Sequence, residues 1–269
     1  MMCRVPDIDT TRAHPARMYD FLLGGTDNFA ADRAAIAALL RSVPHARTGA
    51  RENRAFLGRA VRYLVAEAGI RQFLDIGTGL PTASNVHQVA QSIAPQCRVV
   101  YADNDPIVLA HAQALLTSDP AGMTAYIDAD LHDPAAILAC PAVRETLDFS
   151  QPIALMLLAI VHFMPDDQGP AGIVAALVDA LPSGSYLVIS HATADYADRA
   201  TAGEAVKSVQ QHGVPFQARS AEELTSLALA GLDLVEPGLV AVSQWRPDPG
   251  HPVPAPQEVG YYGAVARKP

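Results

Sequence analysis

Apolar residues follow a helical period over the first seventy positions and then a mixture of two periods. After His14, Met18, Phe21 and Leu22 mark a short helix that Gly24-Gly25 stops. A second helix is expected over Ala30 to Leu40, ending before Pro44. A third is expected from Arg51 or Glu52 to Ala68, with Phe56, Leu57, Ala60, Val61, Leu64 and Val65 in one stripe and Gly69 closing it. From Arg71 onward, short apolar runs near 72–76, 98–103, 123–128, 153–159 and 185–190 alternate with helical stretches near 83–94, 106–117, 134–139 and 167–181. Every residue from Ile153 to Ala159 is apolar, as in a parallel strand covered on both faces. Repeated βα units with right-handed crossovers imply a doubly wound, mostly parallel α/β sheet.

The pattern changes at 195–230, where two polar helices near 200–212 and 220–230 are joined through Gly213-Val-Pro215. Runs at 232–242 and 259–266 read as two further strands, an antiparallel hairpin that closes the sheet at its edge. The stretch between them, from Trp245 to Pro256, has too many prolines for a helix or a ladder. The expected organisation is a helical cap over residues 1–70 and a core over 71–269 carrying a helical insert at about 195–230, together one compact unit.

Chemistry enters at Phe73-Leu-Asp-Ile-Gly-Thr-Gly-Leu-Pro-Thr82. An apolar strand runs into Gly77-x-Gly79, backbone that turns sharply and lets a ligand approach, and a helix follows. This is the nucleotide-binding corner of a doubly wound sheet. Downstream, Arg-Val-Val-Tyr-Ala-Asp103-Asn-Asp105 is a strand ending in acid, at the separation expected of a carboxylate that accepts from both ribose hydroxyls. Asp103 is in register with the strand and suits the ribose, whereas Asp105 precedes Pro106 and suits a helix start. A dinucleotide fingerprint needs glycine where this chain has Thr82, and the acid Asp75 would repel a pyrophosphate. S-adenosylmethionine (SAM) has no phosphate and carries a sulfonium and an ammonium, so charge favours it over NAD.

Composition narrows the partners. The net charge of −9 argues against nucleic acid, which needs a basic surface. Residues 1–70 hold ten Arg and seven acids, and the remainder nine basic and twenty-one acidic residues, so a basic N-terminal piece lying over an acidic core is one reading. Cys3, Cys97 and Cys140 are scattered and odd in number, with no metal-ligand spacing, which suits a reducing cytoplasm and no resident metal. No secretory h-region is visible, and the longest apolar run, Ile153 to Val161, is too short to cross a bilayer.

Two further strand ends carry polar groups. Ile127-Asp-Ala-Asp130-Leu131 ends the third strand with a run of acids that also reads as a set of helix starters. His162 follows the fourth strand, at the carboxyl edge where ligands bind. An imidazole there could take a proton from a methyl acceptor, or could pack beneath the cofactor. His191, ending the fifth strand, is a weaker candidate of the same kind.

Asp75-Ile-Gly77-Thr-Gly79 with Asp103 resembles motif I and the following acid of class I SAM-dependent methyltransferases. More specifically, Pro15-Ala-Arg17-Met-Tyr19-Asp20-Phe-Leu-Leu-Gly24-Gly25-Thr-Asp-Asn28-Phe, Arg51-Glu-Asn53-Arg54, Asn85-Val-His87, Tyr101-Ala-Asp-Asn-Asp-Pro and Trp245-Arg-Pro resemble an actinomycete family of predicted SAM-dependent methyltransferases, formerly a domain of unknown function. The resemblance spans nearly the whole chain. It implies a seven-stranded class I (Rossmann-like) methyltransferase fold, a SAM site and an N-terminal helical cover. It also implies that Asp75 orients the glycine turn and meets the methionyl ammonium, that Gly77, Thr78, Gly79 and Leu80 pass under the cofactor, and that Asp103 with Asn104 holds the ribose. Asp130 with Leu131 would hold the adenine, with Asp128 and Asp133 as alternatives to Asp130. Ala159 would lie beside the cofactor, Tyr19, Gly24 and Gly25 would cover it, and Arg17 and Asn28 would line the substrate side or only pin the cover. The expected activity is methyl transfer to a small molecule in specialised metabolism, releasing S-adenosylhomocysteine. A SAM-binding regulatory module without turnover is the alternative, and an NAD-dependent oxidoreductase a more distant one.

Overall fold

The computed structural model describes residues 8–81, 84–115 and 118–269. Cys3, Thr82, Ala83 and the last two residues of the helix expected at 106–117 lie outside them. In chain order the elements are α1 (Pro15–Leu23), α2 (Ala30–Ser42), α3 (Ala46–Ala66), β1 (Gln72–Ile76), α4 (Val86–Ile93), β2 (Arg98–Asp103), α5 (Pro106–Leu115) and β3 (Met123–Asp128). There follow α6 (Pro134–Ala139), α7 (Pro141–Thr146), β4 (Ala154–Leu158), α8 (Pro170–Asp179), β5 (Tyr186–Ala192), α9 (Arg199–Gln210), α10 (Ala221–Leu224), β6 (Asp233–Leu234), β7 (Val240–Ala241), α11 (Pro256–Val259) and β8 (Tyr261–Arg267).

The strands form one sheet in the order β3-β2-β1-β4-β5-β8-β6, with β7 also pairing β8. β1 to β5 are parallel, and β8 runs antiparallel to β5 between it and the short β6 and β7. The expected strand at 232–242 is therefore two fragments. Pro237 removes a ladder donor and Gly238, at φ 88°, turns the chain, so Glu236-Pro-Gly splits the pairing. The proline-rich stretch ends in the single turn of α11, with Pro256 at its first position, where a missing N–H costs nothing.

Side chains alternate across the sheet, and each face has its own core. Leu74, Val100, Leu155, Leu187 and Ile189 pack against Ile137, Val143, Val174, Leu177 and Leu224 of the helices on one side. Phe73, Val99, Tyr101, Met156 and Val188 pack on the other side against Phe56, Leu57, Val61 and Leu64 of α3 and Val86 and Ala90 of α4. α3 is thus part of the layer flanking the sheet. It starts at Ala46, earlier than its apolar stripe shows, because its first turns are Arg- and Gly-rich.

A third, smaller core joins Met18 and Leu22 of α1, Ala35 and Ile36 of α2, and Val209 of α9 with Val214. The helical insert and the N-terminal helices therefore meet. Asp32, fully buried, accepts from the backbone N–H of His14 (2.8 Å) and of Phe29 (2.8 Å), tying the start of α1 to the start of α2. Among the described residues no helix is long and apolar enough to cross a membrane.

Candidate active site

A cavity opens at the carboxyl ends of β1, β2 and β4, where a parallel sheet presents backbone and loops to a ligand. Its floor is the turn after β1. Gly77 has φ 74°, its N–H donates to Ala102 O (2.8 Å), and a Cβ there would run into the side chain of Ile160. Gly79, at φ 67°, donates its N–H to Asp103 Oδ2 (2.8 Å). Asp103 Oδ1 accepts from Asp105 N (2.9 Å), so one buried carboxylate fixes both the glycine turn and the end of β2. Burial pushes the Asp103 carboxyl up, against those two N–H donors, which lower it. Asp105 Oδ1 receives Ile107 N (3.0 Å), the helix-starting role expected of it.

Asp75, also on the wall, is 4% exposed, and burial pushes its carboxyl up to about 7 against the nearby charge of Arg54. Ala159, past the end of β4, takes a left-handed backbone (φ 53°) and is held by hydrogen bonds from its N–H to Ser190 O and Oγ. On the β3 side, Leu131 is buried while Asp130 is exposed and paired with His132 Nδ1 at 2.6 Å. Partial burial works to raise the Asp130 carboxyl, but the hydrogen bonds from His132 hold it below the usual carboxylate range.

The N-terminal helices roof the cavity. His14, Pro15, Ala16 and Tyr19 of α1 and Asn53, Arg54 and Leu57 of α3 line it, with Phe163, Met164 and Pro215 on the side of the insert. His14 Nδ1 lies 2.9 Å from Asp105 Oδ2, a polar contact that joins the roof to the end of β2. The Tyr19 hydroxyl donates to Ala50 O (3.0 Å) and accepts from Asn53 Nδ2 (2.9 Å).

The sequence profile of a family described as S-adenosyl methyltransferase matches residues 2–269. The chain belongs to this S-adenosyl methyltransferase family. A DUF574-family protein of Streptomyces avermitilis shares 48% identity, with 98% of this chain and 100% of that one covered and a TM-score of 0.92. A predicted methyltransferase of Thermobifida fusca shares 41% identity over 100% and 99% of the two chains, TM-score 0.89. A SAM-dependent methyltransferase of Anabaena variabilis, at 14% identity over 99% and 98% with a TM-score of 0.52, is similar in fold alone. The fold is class I. No functionally curated protein matches the chain.

Of the residues expected to act as cofactor ligands, Asp75, Gly77, Thr78, Gly79, Asp103, Asn104, Asp130, Leu131, Ala159 and Tyr19 stand on the cavity wall together. Leu80 does not, packing instead with Ile107 and Val108. Gly24 ends α1 in a left-handed cap, and a Cβ on Gly25 would run into Asp20. Asn28 donates to Asp20 Oδ2 (2.7 Å) and Gly25 O (3.0 Å), and Arg17 reaches Asp9 O (3.0 Å) and lies 3.4 Å from Asp105, so both hold the cover together. Asp133 caps α6, and Asp128 is exposed away from the wall.

His162 is likewise not brought to the cavity. β4 ends at Leu158 and a one-turn 3-10 helix over Val161–Phe163 follows, which rotates the imidazole inward and leaves Phe163 and Met164 on the wall. Its ring, 1% exposed, lies among Phe163, Phe216, Tyr261 and His191, and its Nδ1 accepts from Ala192 N (3.3 Å). Burial, then His191 and Arg219, hold it well below its ordinary value, so it is neutral. Behind it His191 Nε2 lies 2.9 Å from Arg219 Nη1. A guanidinium only donates, so Nε2 accepts and the His191 proton sits on Nδ1, bonded to Ala192 O at 2.7 Å.

This pair sets a pH dependence. Burial, with the charge of Arg219 adding to it, holds His191 down to about 4, whereas in the unfolded chain a histidine titrates near 6.5. The unfolded state therefore binds more protons between those values. The stability from neutral His191 is complete above about pH 6.5 and is lost as pH falls toward about 4, a change on the order of 3 kcal/mol with His162 adding in the same direction. Urea midpoints measured from pH 7.5 to 4.5 should fall steeply over this window in wild type. In His191→Gln, which is destabilised throughout, they should fall less steeply. Equal slopes in both proteins would show that His191 is not a source of the acid sensitivity.

Proposed function

We propose that the protein transfers a methyl group from SAM to a small molecule, of the kind made in specialised metabolism. The observation that supports this best is the convergence of the Gly77–Gly79 turn and the Asp103 carboxylate on one cavity wall at the sheet's carboxyl edge. Each Asp103 oxygen accepts one backbone N–H and can accept a second bond, which is the capacity a ribose diol needs. A side chain at Gly79 would enter open space rather than protein, so the turn offers bare backbone to a ligand. When bound, SAM supplies an electrophilic methyl on a sulfonium. Leu158, Ala159, Ile160, Phe163, Met164 and Pro215 form the wall on the β4 and insert side, and among the described lining residues there no carboxylate or imidazole is present. The chain's contribution is then alignment and exclusion of water rather than a general base on that wall.

The roof supplied by α1 should close on the cofactor. S-adenosylhomocysteine at about 100 times its dissociation constant is expected to stabilise the protein by about 2.7 kcal/mol in a denaturation assay, with NAD giving none. Backbone hydrogen exchange over residues 15–30 should slow in the same titration, because α1 carries His14 to Tyr19 across the cavity. Stabilisation by NAD instead, or none by either ligand, would overturn the SAM reading. Stabilisation with unchanged exchange at 15–30 would remove α1 from the closing element.

A further inference from the structure

Two neighbouring residues on the cavity wall hold polar atoms without a hydrogen bond among the described residues. Asn53 is 4% exposed, and its Nδ2 donates to the Tyr19 hydroxyl, whose own proton goes to Ala50 O. That orientation leaves Asn53 Oδ1 as a buried acceptor with no partner among the described residues. Arg54 donates from Nη2 to Asn85 Oδ1 (2.8 Å), at the start of α4, while its buried Nε has no acceptor among the described residues. Leaving a buried polar atom without a partner costs stability that an arriving ligand can restore. Side by side on α3, in a cavity that also holds Asp75, one orphan acceptor and one orphan cationic donor match a ligand that presents an ammonium and a carboxylate on the same carbon.

We propose that Asn53 and Arg54 clamp the amino-acid end of the cofactor, Asn53 Oδ1 accepting from its ammonium together with Asp75 and Arg54 donating to its carboxylate. The inference rests on the SAM reading above and deepens it. It makes the helix before β1 part of the cofactor site, beyond the glycine turn and the strand-end acids. The charges balance, with Asp75 facing the ammonium and the guanidinium facing the carboxylate. Burial that holds the Asp75 carboxyl near 7 is relieved by an arriving cation, so the ligand completes the ion set that the protein alone leaves partial. Neither orphan has a counterpart on an adenosine lacking the amino-acid chain. The clamp is therefore a specificity device that separates SAM and S-adenosylhomocysteine from truncated thioadenosines.

Calorimetry with S-adenosylhomocysteine and with 5′-methylthioadenosine, which shares the adenosine and sulfur but has no amino-acid group, tests this. Arg54→Gln should weaken S-adenosylhomocysteine binding at least tenfold, about 1.4 kcal/mol, and leave 5′-methylthioadenosine within twofold of wild type. Asn53→Ala should show the same selectivity with a smaller loss. Retained 5′-methylthioadenosine binding also certifies that each variant is folded. Equal losses for both ligands would mean that the residues only shape the cavity, and unchanged S-adenosylhomocysteine binding would mean that they do not touch it. Either result overturns the clamp while leaving the SAM reading intact. Wild-type protein that binds neither ligand overturns both.

Discussion

Arg219→Met lowers the free energy of unfolding by about 3 kcal/mol, while Asp166→Asn lowers it by less than about 1 kcal/mol. Arg219 is 2% exposed and donates to Met164 O (2.8 Å), His191 Nε2 (2.9 Å) and Asp166 Oδ1 (2.7 Å). Methionine keeps the apolar stem but leaves two buried acceptors, the Met164 carbonyl and the His191 nitrogen, without a donor, at about 1–3 kcal/mol each. The Asp166 carboxylate is 70% exposed, so water takes over its solvation and the ion pair itself contributes little. Arg219 lies in the segment leading to α10 and bonds the turn after β4, so its loss also loosens the insert behind the cavity. Urea unfolding monitored by Trp245 fluorescence gives both numbers. Equal, small losses for the two variants would show that the buried bonds do not hold the insert.

Asp103→Ala weakens S-adenosylhomocysteine binding at least a hundredfold, about 2.7 kcal/mol. Two ribose hydroxyls donating to one carboxylate are charge-assisted bonds, each contributing about 1.5–3 kcal/mol. The same carboxylate receives Gly79 N and Asp105 N, so its removal also frees the glycine turn on the cavity floor. Asp103→Asn is the sharper variant. It keeps one acceptor oxygen for a backbone N–H but turns the other position into a donor, which faces hydroxyl donors. Calorimetry on both variants, with circular dichroism to confirm the fold, reads the effect. An Asp103→Ala protein within twofold of wild type would take the residue out of the ribose site.

The sheet was legible where chemistry is local. Phe73, Leu74 and Ile76, Val99 to Ala102 and Ala154 to Leu158 supply apolar positions of strand length beside breakers, and the structure forms strands there. Where two signals competed, the boundaries moved. The apolar stripe of α3 begins well inside the helix, and 232–242 has strand-like residues interrupted by Pro237 and Gly238. α7 has no apolar period of its own, being a six-residue helix that Pro141 opens directly after α6. At the cavity, the strand-end residues Asp75, Gly77, Gly79 and Asp103 could be found from spacing to the glycine turn. Asn53, Arg54, Phe163 and Pro215 could not, since they come from a helix, a 3-10 turn and the insert, and only the packing of α3 and α9 brings them there. For His162 the choice between base and packing could not be made from the sequence, because chain position after β4 says nothing of which way a 3-10 turn rotates a side chain.

The position of β8 has a consequence for how the chain is made. β5 leaves the ribosome roughly seventy residues before its partner β8, and until then it is the bare edge of a hydrophobic parallel sheet. Neither β6 nor β7 can shield it, because both bond only to β8. A nascent chain thus holds an unpaired, mostly apolar strand edge through the synthesis of α9, α10 and the proline-rich stretch, the period when intermolecular pairing competes best with folding. β8 acts as the final bolt of the sheet, and its arrival turns an aggregation-prone intermediate into a closed molecule.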